Sequence, residues 1–149
     1  MAHVVLGTRG NRREWFVIDR PVGQGLPNMP EDVLLVQFFL RVASEAARGY
    51  AGFVPPGEPP LVIDGKYGPH TQQYILFYQN EVNRRMNMKQ LQPDGRIDPI
   101  LPGQMLSGLT QTVYTIIDLN FAYRSRRGDA ARIEVDPLFP QALRARFCI

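Results

Sequence analysis

Apolar positions fall into three long stretches with a helical period and several short runs without one. Over residues 31–47, Val33, Val36, Leu40 and Ala43 or Ala47 recur at three- and four-residue steps, and Leu34, Phe38 and Val42 widen the stripe. Pro30 suits the first helical position, where no intrahelical donor is needed. Glu31 and Asp32 place negative charge at the positive end of the helix dipole, and Gly49 is the expected stop. A second stripe, Thr71, Tyr74, Ile75, Tyr78, Val82 and Met86, predicts a helix over 69–88 opened by Pro69. A third runs through Leu106, Leu109, Val113, Ile116, Ile117, Asn120 and Phe121 and predicts a helix over 103–124, the most regular of the three.

The segments between are shorter or richer in Gly and Pro. Residues 3–20 hold the runs "HVVLG" and "EWFVID" on either side of a charged "TRGNRR", read as two short strands or one loose hairpin. "RPVGQGLPNMP" (20–30) is a loop, and "GYAGFVPPGEPP" (49–60) is an excursion stiffened by prolines. "RIEVDPLFPQALRARFCI" at the end suits a short strand and a terminal turn of helix. An amphipathic helix of this length is unstable alone in water, so the three stripes must share one core. The expectation is a mainly α fold, a three-helix bundle with short extended segments at both termini.

One pattern is written twice, as "DGKYGP" at 64–69 and "DGRIDP" at 94–99. Each position has a structural duty. The Asp side chain can bond the backbone two residues on, and the Gly accepts positive φ. Lys66 or Arg96 then points to solvent, Tyr67 or Ile97 drops inward, and Pro69 or Pro99 sets φ ahead of a helix. A calcium loop needs several oxygen ligands at alternate positions and a late bidentate Glu. Asp64 stands alone in its loop, and Asp94 has only Asp98.

The order of these pieces resembles the peptidoglycan-binding domain family, small three-helix modules attached to many bacterial cell-wall hydrolases. The matching stretches are "VGQGLPN" (22–28), "EDVLLVQFFL" (31–40), "LVIDGKYGPHTQQYILFYQ" (61–79) and "PDGRIDPILPGQML" (93–106). The likeness spans roughly residues 21–120, and its combined spacing is more specific than any one Asp-Gly turn. Tyr74 stands where the family usually carries alanine, and the loop over 49–60 is longer than usual. The division implied is an N-terminal extension (1–20), the helical domain (21–123) and an Arg-rich C-terminal extension (124–149). The resemblance implies non-catalytic binding of peptidoglycan in a shallow groove along helix 1 and the two turns, with Lys66, Tyr67, Gln79, Asp94 and Arg96 as contacts. The aromatic faces of Tyr67, Tyr74, Phe77 and Tyr78 suit sugar rings, although the inner stripe favours core packing for Tyr74 and Tyr78.

Charge redirects part of this picture. The net charge of +3 resides entirely in residues 124–149, where six arginines face three acids. That tail reads as a solvated arm or as a surface for an acidic partner protein, with Arg124, Arg126 and Arg127 as the partner-binding residues. A second reading follows: a protein-interaction or assembly component of a phage tail or contractile secretion apparatus built on the same fold. Nucleic acid is a third and disfavoured partner, because it rests on the charge of the tail alone.

Candidate chemistry is sparse. The two histidines, His3 and His70, lie far apart in sequence, and the single cysteine, Cys148, rules out an intramolecular disulfide and a Cys cluster. No hydrolase, zinc or phosphate-loop motif is present, and the adjacent Glu31 and Asp32 point to different helix faces. A non-enzyme with no cofactor and no bound metal is expected. No apolar stretch approaches the roughly 18 residues that span a bilayer. The opening residues lack the features of a cleaved signal peptide, so the expected location is cytoplasmic, or exported without such a leader.

Overall fold

The computed structural model describes residues 2–6, 14–101, 104, 106–107, 111–128 and 132–147. Strands β1 (His3–Leu6) and β2 (Glu14–Val17) pair antiparallel, with His3 opposite Val17 and Leu6 opposite Glu14. Helices α1 (Pro30–Ala43), α2 (Pro69–Met86) and α3 (Thr115–Arg127) follow. A 3-10 turn at Ile133–Val135 and a short helix α4 (Gln141–Phe147) complete the described chain. The protein is mainly helical, with four α-helices and one two-stranded sheet among the described residues. None of these helices is long and apolar enough to cross a membrane.

α1 is the centre of the core. Val33, Leu35, Val36, Phe38, Phe39 and Val42 are all buried, which is more than a one-sided stripe can supply, so α1 is covered nearly all round. Phe38 packs edge-on to Phe139, and Phe39 and Tyr123 meet with ring centroids 5.8 Å apart. Phe16 of β2 and Phe139 both touch Phe147 of α4. The hairpin and α4 therefore share one apolar cluster with α1 and α3.

Asn120 holds the hairpin to the helices. Its amide oxygen accepts from the Phe16 N–H at 2.9 Å, and its amide nitrogen donates to the Phe16 carbonyl at 2.9 Å. This reproduces the pairing a neighbouring strand would offer to β2, from a helical side chain instead. Asp32 does related work one element on: its carboxylate accepts from the N–H groups of Asp19 and Arg20 at 3.2 and 3.1 Å. A buried carboxylate is tolerable there because backbone donors satisfy it.

Several expectations need correction. α1 ends at Ala43, not near Gly49. The Ser44 and Glu45 N–H groups close the helix on Leu40 and Val42, and the chain then turns so that Ala47 pairs with Tyr50. Gly49, at φ 80°, serves that later turn. α2 stops at Met86, where Asn87 adopts the left-handed conformation that ends helices. Its last stripe position, Met86, is 53% exposed because the helix runs past the core.

The largest difference is at α3, which starts at Thr115 rather than 103. Leu106 and Val113 sit at helical spacing but face each other across an antiparallel bridge, and Gln111 turns the chain at φ 57°. A bridge of this span mimics helical periodicity. Leu109 lies outside the described residues. Phe121 is on the outer side of α3, edge-on to Trp15 at 5.2 Å. The C-terminal segment, expected to contain a strand, forms the 3-10 turn and α4.

Asn120→Ala should strand the Phe16 N–H and C=O in the core and cost about 2 kcal/mol of stability. Urea unfolding measures it; a change within about 0.5 kcal/mol would mean the clip contributes nothing beyond packing.

Candidate functional site

The two Asp-Gly turns are built alike. At the first, Asp64 Oδ1 accepts from the Lys66 N–H at 2.9 Å; at the second, Asp94 Oδ1 accepts from the Arg96 N–H at 3.1 Å. Gly65 and Gly95 have φ of 74° and 73°, in the left-handed region that suits glycine. Space enforces the choice as well. A Cβ on Gly65 would lie 3.3 Å from the Pro30 carbonyl oxygen, and one on Gly95 would lie 3.1 Å from Leu76 Cγ.

A buried glutamine from the preceding helix sits beneath each turn. Gln37 Oε1 accepts from the Asp64 and Gly65 N–H groups at 3.1 and 2.9 Å. Its Nε2 lies 3.1 Å from each of three acceptors: Asp64 Oδ1, the Lys66 carbonyl and Thr71 Oγ1. Gln79 repeats the arrangement. Its Oε1 accepts from the Gly95 N–H at 2.9 Å, and its Nε2 reaches the Arg96 carbonyl at 2.9 Å, Thr115 Oγ1 at 3.1 Å and Asp94 Oδ1 at 3.5 Å. Each amide thus ties one turn to the helix before it and to the first residues of the helix after it. The sequence pattern marks the turns and puts Thr71 on the inner stripe of α2, but it assigns Gln37, Thr71 and Thr115 no role at the turns. The available signal was a glutamine set among core residues, as in "LVQFF" and "FYQNE".

The expected ligand contacts separate into three groups. Gln79 is fully buried and its amide is committed to the second turn, so it positions Asp94 and Arg96 instead of meeting solvent. Lys66 and Tyr67 belong to the first turn. Lys66 is exposed, whereas Tyr67 packs against the core with its hydroxyl buried and pushed up in pKa by that burial. Asp94 and Arg96 line a cleft of about 540 Å3 together with Asp98, Tyr114, Ser107 and Thr112. Arg96 is paired there with Asp98 at 2.7 Å. Gln92 also lines the cleft, and its Oε1 is buried with no hydrogen-bond partner among the described residues. The loop of residues 21–28 closes one side: Val22 exchanges backbone hydrogen bonds with Ile97 at 2.9 and 2.8 Å. Asn28 braces that loop by accepting from the Gly23 N–H at 2.8 Å.

Tyr74, Phe77 and Tyr78 do not form an aromatic platform at this cleft. The Tyr74 hydroxyl donates to the Pro59 carbonyl at 2.7 Å, so the large side chain supports the long proline-rich loop. Tyr78 is buried, packs at a tilt against Phe53 with ring centroids 4.6 Å apart, and donates to Asp118. Trp15 and Phe39 are core residues.

The three arginines expected to meet a partner have different surroundings. Arg124 lies over the Trp15 ring at 4.5 Å and donates to the Glu14 carbonyl. Arg127 grips both oxygens of Glu45 at 2.6 and 2.8 Å and reaches Asp136 at 2.6 Å. It joins the end of α1 to the 3-10 turn, and it holds the Glu45 carboxyl below its ordinary range. Arg126 alone lines a second groove, of about 420 Å3, between α2, α3 and residues 47–53. At its floor, burial raises the Asp118 carboxyl, with the Tyr78 hydroxyl bond opposing this only in part. The cleft and this groove share no lining residue.

No family model, curated protein or solved structure matches this chain.

Asp118 makes a pH prediction. Its folded pKa lies above the ordinary 3.8, so the folded state holds that proton more tightly than the unfolded chain. Its contribution is fully present below the ordinary value and is lost as pH rises through the folded pKa. Asp118→Asn keeps an acceptor for Tyr78 and removes the penalty. The stability of the variant relative to the parent should therefore rise as pH increases from below the ordinary carboxylate value through the folded pKa of Asp118. A relative stability that falls over the same range contradicts the assignment.

Proposed function

We propose that this chain is a non-catalytic module that binds bacterial cell wall, with α1, α2 and α3 as a three-helix unit of the peptidoglycan-binding type. The observation that supports it most is the duplicated clip. Both Asp-Gly turns, the feature that carries the family resemblance, are seated on a buried glutamine and lead to a threonine at a helix start. Such agreement in the interior is harder to reach by chance than a pair of similar surface turns.

The ligand lies in the cleft beside the second turn. Peptidoglycan combines sugar rings with peptide amides, hydroxyls and carboxylates. Arg96 can take a carboxylate, and Asp94 and Asp98 can accept from amide or ammonium groups. Tyr114 offers an aromatic edge to a sugar ring. Gln92 Oε1, buried without a partner among the described residues, supplies an acceptor that a bound donor would satisfy. Binding of this kind needs no bond-making step, and every group named serves as a hydrogen-bond or charge partner.

The test is co-sedimentation with insoluble peptidoglycan, using unfolded chain as the control. The folded protein should be retained well above the control, and Arg96→Glu should lower retention by about tenfold, the effect of losing about 1.4 kcal/mol. Retention equal to that of the unfolded chain contradicts the proposal.

A further inference from the structure

The second groove has walls of an unusual kind. Phe53, Val82 and Met86 give it an apolar lining, with Tyr50 and Phe121 at its mouth. Tyr50 and Phe121 are 69% and 42% exposed. Arg48, Arg85 and Arg126 surround this surface. Arg85 lies 4.2 Å over the face of Phe53, and Arg126 lies 5.7 Å from the same ring.

Two nearby carboxylates are already paired: Glu45 with Arg127, and Glu81 with Arg84 and Arg85. Asp118 accepts from the neutral Tyr78 hydroxyl, and burial favours its protonated form. Arg126 is left with neutral acceptors: the carbonyls of Glu45 and Ala122 and the Ser125 hydroxyl, at 2.9 to 3.1 Å. Burial of this guanidinium disfavours its charge, and an incoming carboxylate would reverse that effect. Arg48 is exposed and has no ion pair among the described residues. The groove therefore offers apolar contact at its centre and unneutralised positive charge at its edge.

We propose that this groove docks an acidic segment of a partner protein, with one aromatic or large aliphatic side chain seated against Phe53 and Val82 and carboxylates on Arg48 and Arg126. Charge complementarity selects the acidic class, and the apolar lining selects the seated side chain. A protein segment fits better than a lipid surface because Asp118 lines the groove beside its apolar residues, and its second carboxylate oxygen can accept from a backbone amide. The proposal stands apart from wall binding, since the two sites have no residue in common.

A random-peptide display library panned against the folded chain tests it. Enriched peptides should be net acidic and carry an aromatic or large aliphatic residue. A synthetic copy of the best one should bind at least about tenfold more weakly to Arg48→Glu and to Met86→Glu. Both positions are exposed, so circular dichroism should show the variants folded. Arg96→Glu should bind the peptide as the parent does. The proposal is overturned if no peptide is enriched, if the enriched peptides are neutral or basic, or if they bind Arg48→Glu undiminished. Recruitment to phosphatidylserine vesicles that is lost in the same two variants would equally overturn it in favour of a membrane.

Discussion

A buried carboxamide is the interaction on which the rest of this structure depends. An Asp-Gly turn exposes two or three backbone groups toward the interior, and an apolar neighbour would leave them without partners. A glutamine side chain offers an acceptor and two donors in one plane, so a single residue can satisfy both edges of the turn. Gln37 and Gln79 each do this, and each also reaches a threonine in the following helix. Three elements are thereby fixed relative to one another by one side chain. Loss of the amide would cost more than its hydrogen bonds, because the groups left behind are buried.

The same solution recurs where the outer segments join. Asn120 serves β2, Asn83 exchanges two hydrogen bonds with Leu91 at 2.8 and 2.9 Å, and Asn28 closes the loop ahead of α1. Charged clips complete the set. Arg127 spans Glu45 and Asp136, and Arg146 meets Glu31 at 2.8 Å. Much of the arginine in residues 124–149 is thus used within the fold, and Arg126 is the one of the first three that borders an open groove. The internal architecture decides which surface charge is left for a partner.

What could be read from the sequence follows from how local each cause was. Pro30 and Pro69 mark helix starts because their effect is confined to one φ and one missing donor, and both open helices in the structure. The stripe of α2 was legible as far as Val82, since its period is unbroken. The start of α3 was not. Leu106 and Val113 sit at helical spacing, but their partners are each other, and the spacing alone does not distinguish a bridge from a helix. At the site, Asp94 and Arg96 were recognisable from the turn that presents them. Gln79 was taken for a ligand contact because the family resemblance implied a groove beside the two turns. Its burial is set by a turn fifteen residues away, and the apolar residues just before it in "FYQNE" are the one local sign of that burial. The environments of Arg124, Arg126 and Arg127 likewise depend on Trp15, Phe53 and Glu45, all distant in sequence.

The central claim is that two glutamine amides hold the two turns as parts of the core. Native-state hydrogen exchange of the Gly65 and Gly95 amides tests it directly, because each donates to a glutamine Oε1 at 2.9 Å. Both should be protected to nearly the level of global unfolding, although they lie in short turns. Gln37→Ala should release Gly65 while leaving Gly95 protected, and Gln79→Ala should do the reverse. Exchange of both glycines in the parent at rates typical of exposed loops would contradict the account.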